Sequence, residues 1–315
     1  MARNVTVSPM SFAQKKRRKS NLYAYFHLAP FLILLLTFSF FPIIFTFIIS
    51  FNRWNGFTPM EFVGLTNYIR MLDPSSRFFQ TILNTFIILG MSLPFSILFG
   101  LVAAHLLNST LLRRKKFYQL SFFLPFVVTP VALGLMFSIL FDFQHGTVNH
   151  ILMAVGLLDT QINWLGSVMF SRIVVAILLI WRNFGYTSVM FLAGITSISP
   201  DLMEAASIEG ASSFQVFRKI SIPLLKPIIV FVVITGVIGG LQLFEEVYLL
   251  FAGGFSGAQP FGGPRQSVLT MVMNFYDAGF RFHDMGFAAA LAYGMFLVII
   301  VFTLTLFKII QGKED

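Results

Sequence analysis

The sequence predicts an all-α polytopic membrane protein with six transmembrane helices, on three observations. Hydrophobic residues make up 57% of the 315-residue chain and charged residues only 11%, with Phe alone occurring 40 times; a soluble domain carries about a quarter charged residues. Several apolar runs reach about 18 residues or more, enough as helix to cross roughly 30 Å of hydrocarbon. The alternating segments of about ten residues that mark a membrane barrel are absent.

The spans read, in order, as approximately 24–50, 81–107, 118–141, 171–195, 227–252 and 285–307. A basic tail (1–23) precedes them, a transmembrane domain occupies 24–307, and a short tail (308–315) follows. The first span is too long for a signal-peptide core and lacks a small-residue cleavage site, so it is expected to stay as an uncleaved anchor. Pro42, Pro94, Pro125, Pro130, Gly236, Gly239 and Gly240 fall inside spans, which membrane helices tolerate. The connecting segments are short, leaving no room for a separate soluble domain.

Orientation follows from lysine and arginine. Arg3 with the block KKRRK at 15–19, RRKK at 113–116, the trio Arg218, Lys219 and Lys226 in the 196–226 loop, and Lys308 with Lys313 put fifteen of the 22 basic residues on one side. Arg53, Arg70, Arg77, Arg265 and Arg281 fall on the other, with Arg172 at a span edge. Both termini and the 196–226 loop are therefore expected in the cytoplasm. The net charge of +9 is accounted for by this topogenic signal beside anionic lipid, with no nucleic-acid partner required.

The chain has no cysteine and only five histidines, which excludes disulfides and thiolate chemistry. His145 and His150 are near each other but lack a third ligand at useful spacing, so they read as solvated loop histidines and no metal site is expected. No nucleophile–base constellation stands out, so no catalytic residues are assigned.

The 196–226 loop is the most patterned polar stretch. Ser199-Pro200 reads as an N-cap followed by proline at the first helical position, with Asp201 and Glu204 at the positive dipole end. The short helix DLMEAASIE should stop at Gly210, the residue suited to a left-handed cap. A second helix should start at Ser212 or Ser213, carry Phe214, Phe217 and Ile220 along one side, and end before Pro223. Taken alone, such a loop could lie on the membrane interface.

Glu204, Ala205 and Ala206, then Gly210 after three residues, then Ile220 after nine, then Ile222 and Pro223, resemble the EAA motif of binding-protein-dependent ABC importer permeases. Ile222 replaces the family's leucine. WRNFGYTSVMFLAGITSIS (181–199), FVGLTNYIRML (62–72), NTF (84–86), FEEVYLL (244–250), GGP (262–264) and AGFRFHDMGFAAALAYGMF (278–296) resemble the carbohydrate-uptake branch, of maltose, lactose and glycerol-phosphate type. The resemblance implies a type I importer permease in a bacterial inner membrane whose 196–226 loop is a coupling helix. It further implies a second homologous permease, two cytoplasmic ATPase subunits that bind ATP and Mg, and an extracytoplasmic solute-binding protein. The large outer domain of the maltose type is missing, so contact with a binding protein falls to short loops. The chain has no G-x-x-x-x-G-K-[ST] sequence, its Gly-Lys pair being Gly312-Lys313 in the tail, so no cofactor is expected on the chain itself.

Ionisable groups inside lipid mark a path or an internal pair. Arg182 lies near the middle of the fourth span beside Asn183, with Tyr186 one turn on. Gln242, Glu245 and Glu246 are spaced i, i+3 and i+4, which on a continuous helix shares one face. Aromatic faces and forked polar groups suit sugars, and the maltose-type resemblance places the positions of Arg182, Asn183 and Gln242 on the substrate path. A purely structural Arg182–glutamate pair fits the same residues. The internal charges would also serve an ion-coupled secondary transporter, which has no use for a docking loop.

Overall fold

The computed structural model describes residues 25–109, 112–252 and 260–311. Arg3, the basic block at 15–19 and Lys313 lie outside the described residues. The first span is α1 (Tyr25–Ser50), which stands largely outside the packed bundle. A π-helical turn at Leu36–Phe40 precedes Pro42, whose missing N–H interrupts the regular ladder there. A two-stranded antiparallel ladder follows, β1 (Asn52–Arg53) with β2 (Glu61–Phe62), pairing Asn52 with Phe62 and Arg53 with Glu61. Helix α2 (Thr66–Leu72) buries Asn67, whose Nδ2 donates to the carbonyls of Ser50 and Asn52, both at 2.9 Å. This ties the hairpin to the end of α1.

The second span, α3 (Phe78–Asn108), carries Pro94 without a break. The third departs from the expectation of one helix over 118–141. It is a bent pair, α4 (Lys115–Val127) and α5 (Pro130–Leu140), crossing at 93°. Pro130 drives the residue before it away from helical geometry; Val128 and Thr129 are extended, and Thr129 caps α5 by accepting from the N–H of Ala132. Helix α6 (Thr147–Ala154) lies beyond, followed by the fourth span, α7 (Val168–Thr196).

Helix α8 (Pro200–Ile208) and α9 (Ser213–Leu224) form the loop between the fourth and fifth spans. The expectation that the second helix ends before Pro223 is corrected. A π-helical turn at Phe217–Ser221 leads into Pro223, and the chain stays helical to Leu224, the widened turn accommodating the ring and the missing N–H that proline brings to a helix. The fifth span follows as α10 (Lys226–Leu241), bent 66° from α9. The expected continuous span over 227–252 is also corrected. The helix stops at Leu241 behind the Gly239-Gly240 pair, and α11 (Glu245–Ala252) starts afresh. The Leu243 carbonyl freed at this break accepts from Thr270 Oγ1 at 2.7 Å, which satisfies a backbone group that lipid could not. Helix α12 (Met271–Tyr276) continues into a π turn at Asp277–Arg281, and the sixth span is α13 (Met285–Gln311).

The centre of the bundle is α3 against α7. Small residues allow the approach: a Cβ on Gly100 would lie 2.1 Å from Thr187 Oγ1, which itself donates to the carbonyl of Ser96 at 3.0 Å. Close backbone contact through small residues is how helices associate where lipid removes the hydrophobic drive. Ile88, Phe137, Val174, Leu178, Val247, Leu250 and Met273 form the main apolar core. One end is closed by the buried segment leading into α12, where Arg172 Nε donates to the Ser267 carbonyl (3.0 Å) and Nη2 to Asn84 Oδ1 (2.8 Å). Asn84 Nδ2 in turn donates to the carbonyls of Gln266 and Leu269.

Candidate functional site

Two features stand out, one at an end of the bundle and one inside it. At the end, α8 begins at Pro200 with Asp201 in its first turn, and Glu204 and Ala205 are exposed. Gly210 has φ +83°, the left-handed conformation that closes a helix cheaply only at glycine. The N–H of Ala211 donates to the carbonyl of Ala206 at 3.0 Å as part of the same cap. Ser212 and Gln215 then form a reciprocal capping box that starts α9, a device visible in S-x-x-Q but not singled out from the sequence. The stripe expected on α9 divides. Phe217 packs on the His105 ring at 4.4 Å between centroids and Ile220 is half-buried, while Phe214 is exposed. Ile208 is 87% exposed, and with Leu202 and Phe214 it leaves an apolar surface on the knob. Pro223 is exposed at its far edge.

Inside the bundle is a cavity of about 540 Å³ bounded by α3, α4, α7, α10 and the break before α11. All six residues expected on the path line it: Arg182, Asn183, Tyr186, Gln242, Glu245 and Glu246. The geometry differs from expectation in one respect. Gln242 is the C-cap of α10 and the glutamates open α11, so they converge across a helix break and not along one helical face. Arg182 Nη1 donates to Glu246 Oε1 in an ion pair whose side chains are only 24% and 6% exposed. Arg182 Nε is buried without a hydrogen-bond partner among the described residues. Gly134 of α5 positions Glu246 from behind, since a Cβ there would lie 2.8 Å from the Glu246 carbonyl oxygen. Both glutamates sit in the first turn of α11, where the helix dipole favours negative charge.

The remaining walls are aromatic and hydroxylic. Tyr186 stacks on Phe126 at 4.8 Å and 18°, and Phe244 on Tyr248 at 5.4 Å and 22°. Asn183 Nδ2 turns back to the Leu179 carbonyl at 2.9 Å. Ser92, Ser96 and Thr235 add hydroxyls. Phe126 and these hydroxyls were not foreseen, because their convergence depends on how the helices cross. The Gly239-Gly240 pair ahead of Gln242 was the available signal for the break. Among the described residues, no group of three His, Asp or Glu side chains is arranged to hold a metal ion.

Comparison with known proteins identifies the family and the fold. The family described as "Binding-protein-dependent transport system inner membrane component" matches over residues 71–313. The chain is 32% identical over 300 residues to the lactose transport system permease protein LacF of Rhizobium radiobacter, covering 95% of this chain and 97% of the relative. It is 31% identical over 313 residues to the arabinooligosaccharides transport system permease protein AraP of Bacillus subtilis, covering 96% and 95%. A crystal structure of a bacterial ABC transporter that imports the acidic polysaccharide alginate contains a chain with the same fold. Its TM-score is 0.82 at 23% identity, covering 96% of this chain and all of that one.

Proposed function

The chain belongs to the family of binding-protein-dependent transport system inner membrane components, and from that premise we propose that it forms the path for a carbohydrate in an ATP-driven importer. Its relatives are named for lactose and for arabinooligosaccharides, and its cavity offers what a sugar ring needs: aromatic faces, hydroxyls and forked polar groups. The chain contributes no nucleotide site. ATP and Mg belong to two cytoplasmic ATPase subunits, and a second, homologous permease supplies the facing half of the path. An extracytoplasmic solute-binding protein delivers the sugar, as in the alginate transporter crystallised with its loaded periplasmic protein. Arg218 and Lys219 belong to the knob and Lys226 follows it, and the positive-inside bias of the sequence assigns that end and both termini to the cytoplasm.

The observation that carries the reading is the mechanical continuity between knob and cavity. Phe217 of α9 seats on His105 in the last turn of α3, and α9 runs through one bend into α10. Both α3 and α10 line the cavity. A displacement of α8 and α9 by an ATPase subunit therefore reaches two cavity walls through packed side chains. Glu204, Ala205, Ala206, Gly210, Ile220 and Pro223 serve this coupling. Arg182, Asn183, Tyr186, Gln242, Glu245 and Glu246 face the solute. The test is purification of the tagged chain from its native membrane, followed by mass spectrometry. The expected companions are one homologous permease and an ATPase; a chain that purifies alone and carries solute alone would overturn the proposal.

A further inference from the structure

Resting on the carbohydrate reading above, we propose that this cavity selects by charge, taking uncharged or amine-bearing saccharides and rejecting acidic, uronate-type ones, with Glu245 as the deciding residue. The charged residues lining the cavity are Arg182, Glu245 and Glu246. Arg182 and Glu246 neutralise each other as an ion pair. Glu245 is exposed and has no hydrogen bond or ion pair among the described residues. The charge of Glu245 also acts on Arg182, so the three groups together leave this chain's half of the path with one surplus negative charge.

Two devices could have received an acidic sugar, and both are compromised. A guanidinium binds a carboxylate best through an open two-limbed fork, but the Nη1 limb of Arg182 is engaged by Glu246 and its Nε is buried, which leaves Nη2 without a free second limb beside it. A helix N-terminus attracts anions, but the first turn of α11 already carries Glu245 and Glu246. What remains open includes acceptors on Glu245 and Gln242, in a cavity also lined by Phe126, Tyr186 and Phe244. Sugar hydroxyls or a sugar ammonium group can donate to these acceptors, and ring C–H faces can lie on the aromatics. A sugar carboxylate meets the like charge of Glu245 at close range, which repels it. The shared fold with an importer of an acidic polysaccharide therefore does not extend to the solute.

The test uses the complete complex in proteoliposomes with its binding protein and ATP. The probes are a neutral oligosaccharide that the complex carries, found in a panel of gluco-, galacto- and arabino-oligosaccharides, and the same molecule with one primary alcohol oxidised to a carboxylate. The affinity of the binding protein for each probe is measured separately, and uptake is compared with that protein saturated. Wild type should carry the neutral form at least about tenfold faster. Glu245→Gln should narrow that ratio to within about threefold, and Gln242→Glu should widen it. Equal or faster uptake of the oxidised form by wild type, or a ratio that neither substitution moves, overturns the charge filter while leaving the carbohydrate reading intact. Uptake of no saccharide of either kind overturns the carbohydrate reading itself. Should a variant fail to assemble, the wild-type ratio still decides.

Discussion

Arg182 keeps its proton at any accessible pH, so its burial beside the cavity is tolerable only with a carboxylate in reach. Glu246 fills that role. Replacing Arg182 by Met would leave Glu246 buried without its counter-charge, and breaking such a pair costs about 3–5 kcal/mol. Arg182→Met should lower the melting temperature of the detergent-solubilised complex and abolish uptake. The double replacement of Arg182 and Glu246 by Met should recover most of the melting temperature but not uptake, since packed apolar groups can replace a buried pair but cannot hold a hydroxyl. A double variant that transports normally, with unchanged solute preference, would make the pair architectural. The sequence foretold a glutamate partner for Arg182, because an intramembrane cation demands one. It could not choose between Glu245 and Glu246. That choice depends on where α11 restarts, and on the backbone of α5 closing on Glu246 at Gly134.

At the scale of elements, what was legible depended on how local the determining contacts are. The first helix of the knob was readable locally: its start at Pro200 and its left-handed close at Gly210 are set within a few residues of themselves, and of the two starts offered for the second helix Ser212 is the cap, although that helix runs past Pro223. The breaks at Val128-Thr129 and at Gln242–Phe244 were missed for different reasons. Pro130 marks the first break locally, but prolines inside membrane helices often leave them straight enough to span, as Pro94 does in α3. The second is secured by Thr270, 27 residues further on. The knob carries its own prediction. Gly210→Pro or Glu204→Lys should leave the chain in the membrane yet abolish solute-stimulated ATP hydrolysis in the reconstituted complex; normal stimulation in both variants would remove the coupling role. The helix crossings carry another. A Cβ on Gly185 would lie 1.7 Å from the Phe122 carbonyl oxygen, with backbone on both sides of the contact. Gly185→Ala should therefore destabilise the α4–α7 crossing by about 1–3 kcal/mol, visible as a lower melting temperature. An unchanged melting temperature would contradict that crossing.

At the scale of the molecule, polar function is sorted along the bundle. The knob projects from one end, the Arg172–Asn84 clamp on the segment around Ser267 closes the other, and the cavity lies among the spans between them. The knob has no use in a carrier that works alone. A proton- or sodium-coupled carrier needs its internal carboxylates to bind and release the coupling ion during the cycle. Here Glu246 is held in an ion pair and backed by Gly134, which opposes such a cycle. Transport should therefore depend on ATP supplied to the partner subunits and on loaded binding protein, and should be indifferent to ion gradients. The measurement is uptake into proteoliposomes containing the whole complex, comparing internal ATP without a gradient against an imposed proton or sodium gradient without ATP. Uptake is expected in the first case and only background in the second. Gradient-driven uptake without ATP would require Glu245 or Glu246 to act as an ion carrier, and would replace the knob with these carboxylates as the coupling element.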